Sequence, residues 1–410
     1  MTMAPWLGFA GAGSLALALI AVVPTVGTQE SGPFVGPPAL LPAGNPDSSE
    51  FIGPKLVGNF ELLGATVAPG TTKRLTWNAS TGLVGSELGA PVLVAHGARP
   101  GPVLCLIAGV HGDELNSVEI VRRVSNAVDP ADFGGTLVSI PVVNLFGYLR
   151  NSRYLPDRRD LNRYFPGSAH GSIASRIAYS LFNEVIRHCG AVVDLHTGSF
   201  DRRNLPQVRA DLSRPDVAIL ARGFGATAVL HSRGSRGMLR YAAIEAGIPA
   251  VTLEVGGPAE LEPDEIEHGE QALNTLLHEL GMTRHLPSWN ETPPVFYASS
   301  WIRSDAGGLL LSHVELGEHV TKGQVLGEVI DPISNNERKL VSPSDGTIIG
   351  LARNQVVLPG FAVFHLGGET SEQNIVREAR RGDPGVIDED GLRAGEGGDP
   401  DEESEEMELE

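Results

Sequence analysis

Two histidines and a nearby glutamate are spaced to hold an ion. His111 and Glu114 stand three apart in His-Gly-Asp-Glu, so on a helical turn they share a face and would grip one cation together. Asp194-Leu-His196 offers His196 as a third ligand. Two His and one Glu, with a coordination position left open to water, make a catalytic zinc set. Glu254 sits in PAVTLEV (249–255), where a carboxylate serves as a general base or as an ordinary ion-pair partner. A fourth cluster, NSRYLPDRRDLNRYFPG (151–167), gathers Arg153, Asp160, Asn162 and Arg163. Taken singly, each has a plain structural reading. His111 and Glu114 would be a helix-start cap and a surface carboxylate, His196 a hydrogen-bonded strand end, and the arginines a solvated face.

What joins the four is the element before each. VLCLIAG (103–109) reads as a buried strand, followed by helical spacing at Leu115, Val118, Ile120, Val121 and Val124. TLVSIPVVN (136–144) is a second such strand, and residues 172–188 form an amphipathic helix leading into strand AVVDLH (191–196). ATAVLH (226–231), a helix near 238–246, PAVTLEV and a helix near 263–280 complete the series. Unbroken apolar strands alternating with helices predict an α/β fold with a mostly parallel, doubly wound sheet covered on both faces. Such sheets place their sites beyond the C-terminal ends of the strands, where all four clusters fall. His278-Glu279 opens like a His-Glu-x-x-His zinc motif, but position 282 is Met. The chain also lacks a Gly-x-Ser-x-Gly elbow, a Walker loop and a Gly-x-Gly-x-x-Gly fingerprint.

After about Pro293 the helical signal stops, and short strands separated by glycine turns predict a small all-β domain over 293–367. The phrase GEHVTKGQVLGEVI…VSPSDGTI looks like the hammerhead, or barrel-sandwich hybrid, of biotinyl and lipoyl carriers. The expected hairpin tip reads DPISNNER, without the carrier lysine, and Lys339 falls beyond it.

Together GVHGDE, the N…SRY…DLNR-FPG loop, VVDLHTG and TLEVG resemble, in this order, the succinylglutamate desuccinylase/aspartoacylase family, related to zinc carboxypeptidases. The resemblance spans roughly 55–367 and implies a carboxypeptidase-type catalytic domain (55–285) followed by the β domain. It implies one Zn2+ per chain on His111, Glu114 and His196, with Glu254 as general base. Arg153 would stabilise the oxyanion, Asn162 and Arg163 would hold a substrate carboxylate, and Asp160 would orient the first zinc histidine. The implied activity is amide hydrolysis of a small N-acyl amino acid by metal-activated water. A metallocarboxypeptidase acting on peptides, or a non-catalytic binding protein on the same fold, are the alternatives. Arg202, Arg203, Arg233 and Arg236 are expected in loops, as solvated residues rather than readers of a second carboxylate.

Composition narrows the partners. The chain has 410 residues, 41% hydrophobic and 20% charged, with 31 basic and 50 acidic side chains for a net charge of −19. That balance disfavours nucleic acid and anionic membrane. The segment from Glu369 to Glu410 alone carries 16 acidic and four basic residues, so the stretch 368–410 reads as a disordered acidic tail. Residues 1–29 carry no charged side chain, and Leu15–Val23 is an apolar run of signal-peptide length without a basic flank. A membrane role follows only if that run is an uncleaved anchor; export and a cytoplasmic location both stay open. Eight Gly or Pro between Ser31 and Glu50 mark a linker, so 1–54 reads as an N-terminal extension. Cys105 and Cys189 border apolar runs and read as inert core thiols. Oligomeric state has no signature in the sequence.

Overall fold

A computed structural model describes residues 58–78, 89–285 and 295–381. The N-terminal apolar run and linker, and the tail beyond residue 381, lie outside the described residues. Among the described residues no helix is long and apolar enough to cross a membrane.

The described residues begin with a hairpin of β1 (Phe60–Leu62) and β2 (Ala65–Val67), then β3 (Thr71–Trp77) and β4 (Ala90–His96). Next come β5 (Arg99–Ile107), α1 (Leu115–Ala127), β6 (Gly134–Ile140), α2 (Leu145–Tyr148), α3 (Ile173–Glu184) and β7 (Ala191–His196). They are followed by β8 (Arg202–Ala210), α4 (Pro215–Arg222), β9 (Ala228–His231), α5 (Leu239–Glu245), β10 (Ala250–Gly256) and α6 (Pro263–Glu279). The helices start where local chemistry lets them. Ser172 caps α3 through the Ser175 amide, and α6 opens on Pro263 with Asp264 and Glu265 in its first turn. Strands β6, β7 and β10 are buried at every residue, which accounts for their unbroken apolar runs.

β7 pairs in parallel with β5 and β10, β5 with β6, and β8 with β9. β8 runs antiparallel to β10, and β4 antiparallel to β3 and β6. The sheet is therefore mixed rather than mostly parallel. The link between β7 and β8 is too short for a crossover helix, so β8 reverses direction.

The all-β region comprises β11 (Val295–Arg303), β12 (Gly308–Ser312), β13 (His319–Val320), β14 (Val325–Ile330), β15 (Glu337–Val341), β16 (Gly346–Ala352), β17 (Val356–Val357) and β18 (Ala362–Thr370). β11 pairs in parallel with β9, and β16 pairs with β8 at Gly350↔Asn204, so this region extends the main sheet to twelve strands. β12, β14, β15 and β17 form a second sheet over a core that includes Leu326, Ile348 and Phe364.

Three further expectations are corrected. Cys105 and Cys189 are joined in a disulfide, because parallel pairing of β5 with β7 brings their Cα atoms to 5.8 Å across 84 residues of sequence. The segment after Gly367 is not all acidic tail: β18 runs to Thr370 and α7 (Glu372–Arg381) follows, with Ile375 and Ala379 buried. Arg202 and Arg203 lie on β8 rather than in a loop, and Arg202 is buried, whereas Arg233 and Arg236 are exposed as expected.

Candidate functional site

His111 and Glu114 sit in the turn between β5 and α1, and Glu114 immediately precedes the helix rather than lying on it. Gly112 makes that turn possible. It packs against α2, and a Cβ there would lie 2.0 Å from the Gly147 carbonyl carbon. His196 ends β7, and the β7–β10 register sets Glu254 directly beside it. Asn144 accepts from the Gly147 amide and donates to the Arg153 carbonyl at 3.3 Å, which fixes the loop that carries Arg153. Asp160 caps the short turn Leu161–Arg163 by accepting from the Asn162 amide at 2.9 Å.

These elements bring all eight candidate residues together. His111, Glu114 and His196 are buried, and their ligand atoms lie within 4.8 Å of one another. Glu114 accepts from His111 Nδ1 and from His196 Nδ1, each at 2.8 Å, while the two Nδ1 atoms approach to 3.2 Å. The opposite ring nitrogens have carboxylate neighbours: Asp160 Oδ1 is 2.9 Å from His111 Nε2, and Asp194 Oδ2 is 3.0 Å from His196 Nε2. Carboxylates behind metal-binding imidazoles fix the ring tautomer and raise ligand basicity.

The electrostatics agree with a cation site. Burial and the nearby Arg153 guanidinium work against a charge on His111, yet Glu114 and Asp160 outweigh them and raise the imidazole above its ordinary value. Burial likewise opposes a charge on His196, and Asp194 and Glu114 overcome it by more. Burial would raise Glu114, but the two imidazoles hold it well below the usual carboxylate range. A buried carboxylate between two inward-facing imidazole nitrogens thus favours positive charge at its centre. This donor set fits zinc.

Arg153 reaches into the same cluster, with Nη1 3.1 Å from Glu114 Oε1 and Nη2 2.9 Å from Asp160 Oδ2. Asn162 Nδ2 lies 3.5 Å from His196 Nε2, and its Oδ1 accepts from the Leu239 amide at 2.8 Å. Arg163 donates to the Asn162 carbonyl at 2.9 Å and lines the same pocket. Glu254 is buried; Asn204 Nδ2 donates to its Oε2 at 3.0 Å, and Arg209 Nη1 is 3.7 Å from its Oε1.

Asn204, Arg202, Arg209 and Trp301 also line the pocket, and the sequence reading did not place them there. The first three ride on β8, whose residues RRNLPQVRA have neither an apolar run nor alternation. Arg202 lies over the rings of Trp301, Phe361 and Phe200 at 5.2, 5.5 and 5.8 Å, and burial with Arg209 and Arg153 nearby pulls it down to about 10. It is therefore a buried wall residue, not a solvated one.

Residues 100–280 match the family model for the succinylglutamate desuccinylase/aspartoacylase catalytic domain. The chain is 27% identical over 243 residues to an N-alpha-acetyl-L-2,4-diaminobutyric acid deacetylase from Halomonas elongata, covering 56% of this chain and 71% of that protein. Its fold resembles a succinylglutamate desuccinylase/aspartoacylase from Rhodobacter sphaeroides, with a TM-score of 0.66 at 20% identity over 73% of this chain and 96% of that one. It also resembles the ectoine utilization protein EutE (DoeB) from Ruegeria pomeroyi, with a TM-score of 0.62 at 23% identity over 68% and 89% of the two chains.

Proposed function

We propose that this chain, a member of the succinylglutamate desuccinylase/aspartoacylase family over residues 100–280, is a zinc-dependent hydrolase that removes the acyl group from small N-acyl amino acids. The observation that carries the reading is the convergence of His111, Glu114 and His196 with Glu254 and Arg153 around one pocket. The deacetylase from Halomonas elongata supports the reaction class.

His111, Glu114 and His196 would hold the metal, which when bound supplies Lewis acidity and acidifies water. Asp160 keeps the His111 ring in place. Glu254 takes a proton from the attacking water and returns it to the leaving nitrogen, which amide cleavage requires because an amide anion leaves poorly. Asn204, bound to Glu254 Oε2, holds that carboxylate toward the pocket. Arg153 presents a guanidinium to the developing oxyanion, a role whose loss typically costs ~3–4 kcal/mol. Asn162 and Arg163 would bind the carboxylate of the amino-acid half and set its register.

The test is primary-amine release from a panel of N-acyl amino acids and unblocked peptides, with Glu254→Gln as blank. Chelator-sensitive release from the N-acyl amino acids is expected. Release of C-terminal residues from peptides instead would make the chain a carboxypeptidase, and silence on both would overturn the hydrolase.

A further inference from the structure

A second chamber adjoins the reaction pocket, and Arg209 and Trp301 line both. It is the larger of the two and the more apolar, floored by Leu230, Tyr297, Ile375 and Ala379. Helix α7 closes one side. The helix is tied down by Arg222, whose Nε donates to Glu372 Oε1 at 2.6 Å, and by the burial of Ile375 and Ala379. His365 lines this chamber. Its ring stacks on Trp301 with centroids 4.3 Å apart and planes 8° from parallel, it is 5% exposed, and its Nδ1 is buried without a hydrogen-bond partner. The ring therefore contributes its stacked edge with Trp301, rather than its buried Nδ1, to the chamber wall. Burial, reinforced by Arg209 and Arg202, holds the imidazole well below its usual value, so at neutral pH this part of the wall is uncharged.

The sheet register indicates which part of a substrate would reach it. His196 on β7 neighbours Glu254 on β10, Glu254 neighbours Gln207 on β8, Gln207 neighbours Ala228 on β9, and Ala228 neighbours Val295 on β11. Across the strands, therefore, the order is metal ligands, base, the β8 arginines, then the strands that wall the chamber. A base that returns its proton to the leaving nitrogen has that nitrogen on its own side. A substituent on that nitrogen would then extend toward Arg209 and Trp301, with its carboxylate on Asn162 and Arg163, which line the same pocket.

We propose that this chamber is a specificity subsite for the side chain of the amino-acid half, selecting a bulky uncharged group, aromatic or long aliphatic, with Trp301 and His365 as its inner wall. Arg209, which lines both pockets, disfavours a cationic side chain, and the apolar floor disfavours an anionic one. The proposal rests on the deacylase reading and is tested beside it.

The experiment compares N-acetyl-alanine with N-acetyl-phenylalanine and N-acetyl-tryptophan, measuring kcat/KM for the wild-type enzyme and for Ser299→Trp and Ala379→Phe. Both substitutions fill the chamber, one from β11 and one from α7, and neither residue touches the metal cluster. The aromatic substrates are expected to exceed N-acetyl-alanine by at least about tenfold, the scale of apolar-pocket discrimination. Ser299→Trp should remove that advantage while leaving N-acetyl-alanine unchanged. Ala379→Phe should do the same, and the pair guards against displacement of α7 alone. A flat wild-type profile, or equal losses on all three substrates, overturns the subsite. Calorimetric binding of the same ligands separates this from failure of the hydrolase reading. If nothing turns over, tighter binding of N-acetyl-tryptophan that Ser299→Trp abolishes still upholds the chamber, and equal binding rejects it.

Discussion

At the scale of single residues, the cluster is organised by what each imidazole does with its second nitrogen. His111 turns Nδ1 toward Glu114 and Nε2 toward Asp160; His196 turns Nδ1 toward Glu114 and has Asp194 beside Nε2. Each ring is thus oriented from behind, and only the inward nitrogens remain for a shared cation. The expectation is specific to position. His196→Ala should purify without zinc and without turnover, as read by elemental analysis and amine release; a full metal equivalent in that variant would remove His196 from the set. Glu254→Gln should keep its metal and lose kcat by ~10^2–10^4-fold, the range for a proton-transfer group. Near-normal turnover there would move the base elsewhere.

At the scale of elements, the parts legible in the sequence were those whose burial is apolar. β5, β6, β7 and β10 read directly because every residue from Gly134 to Ile140, from Ala191 to His196 and from Ala250 to Gly256 is buried. The clustered residues could be found because they lie at or just after the ends of those strands, His111 and Glu114 after β5, His196 at the end of β7 and Glu254 near the end of β10. β8 was illegible because its burial is polar: Arg202 lies among aromatic rings, Arg203 pairs with Glu262 at 2.5 Å, and Arg209 approaches Glu254. Periodicity carries no trace of such long-range pairings, nor of the partner that Cys105 finds in Cys189. Helix α6 supplies a pH dependence of its own. Burial lowers His268 from 6.5 to about 4, near the Thr227 hydroxyl at 3.3 Å. The unfolded chain therefore takes up this proton first as pH falls. Stability is intact above about 6.5 and declines as pH drops toward 4, by at most about 3 kcal/mol from this residue. Chemical-denaturation midpoints at pH 7 and pH 4.5 should fall less in His268→Gln than in the wild type. Equal losses would show that His268 does not titrate across that window.

At the scale of the whole molecule, the all-β region is bonded into the fold rather than appended to it. β11 adds to β9 in parallel, β16 reaches β8 beside Asn204, and Trp301 from β11 lines the pocket that holds His111, Glu114 and His196. The strand that carries Asn204 and Arg209 is therefore braced from both directions, by β10 on one side and by β9 and β16 on the other. Helix α7 extends that bracing past the last strand, since Ile375 and Ala379 belong to the main core. Two truncations separate this helix from the acidic residues after it. Residues 382–410 hold 13 acidic side chains and one basic, and removing them should leave the melting temperature and turnover close to those of the full chain. Removing 369–410 takes the end of β18 and all of α7 and uncovers the core around Ile375. Losing one buried isoleucine alone costs about 1.5–3 kcal/mol, enough to lower the melting temperature by a few degrees. Because α7 also walls the second chamber, the longer truncation should reduce turnover of bulky substrates more than of N-acetyl-alanine. Calorimetric melting and the same amine-release assay check both. An undisturbed longer truncation would mean that α7 neither braces the core nor shapes the chamber.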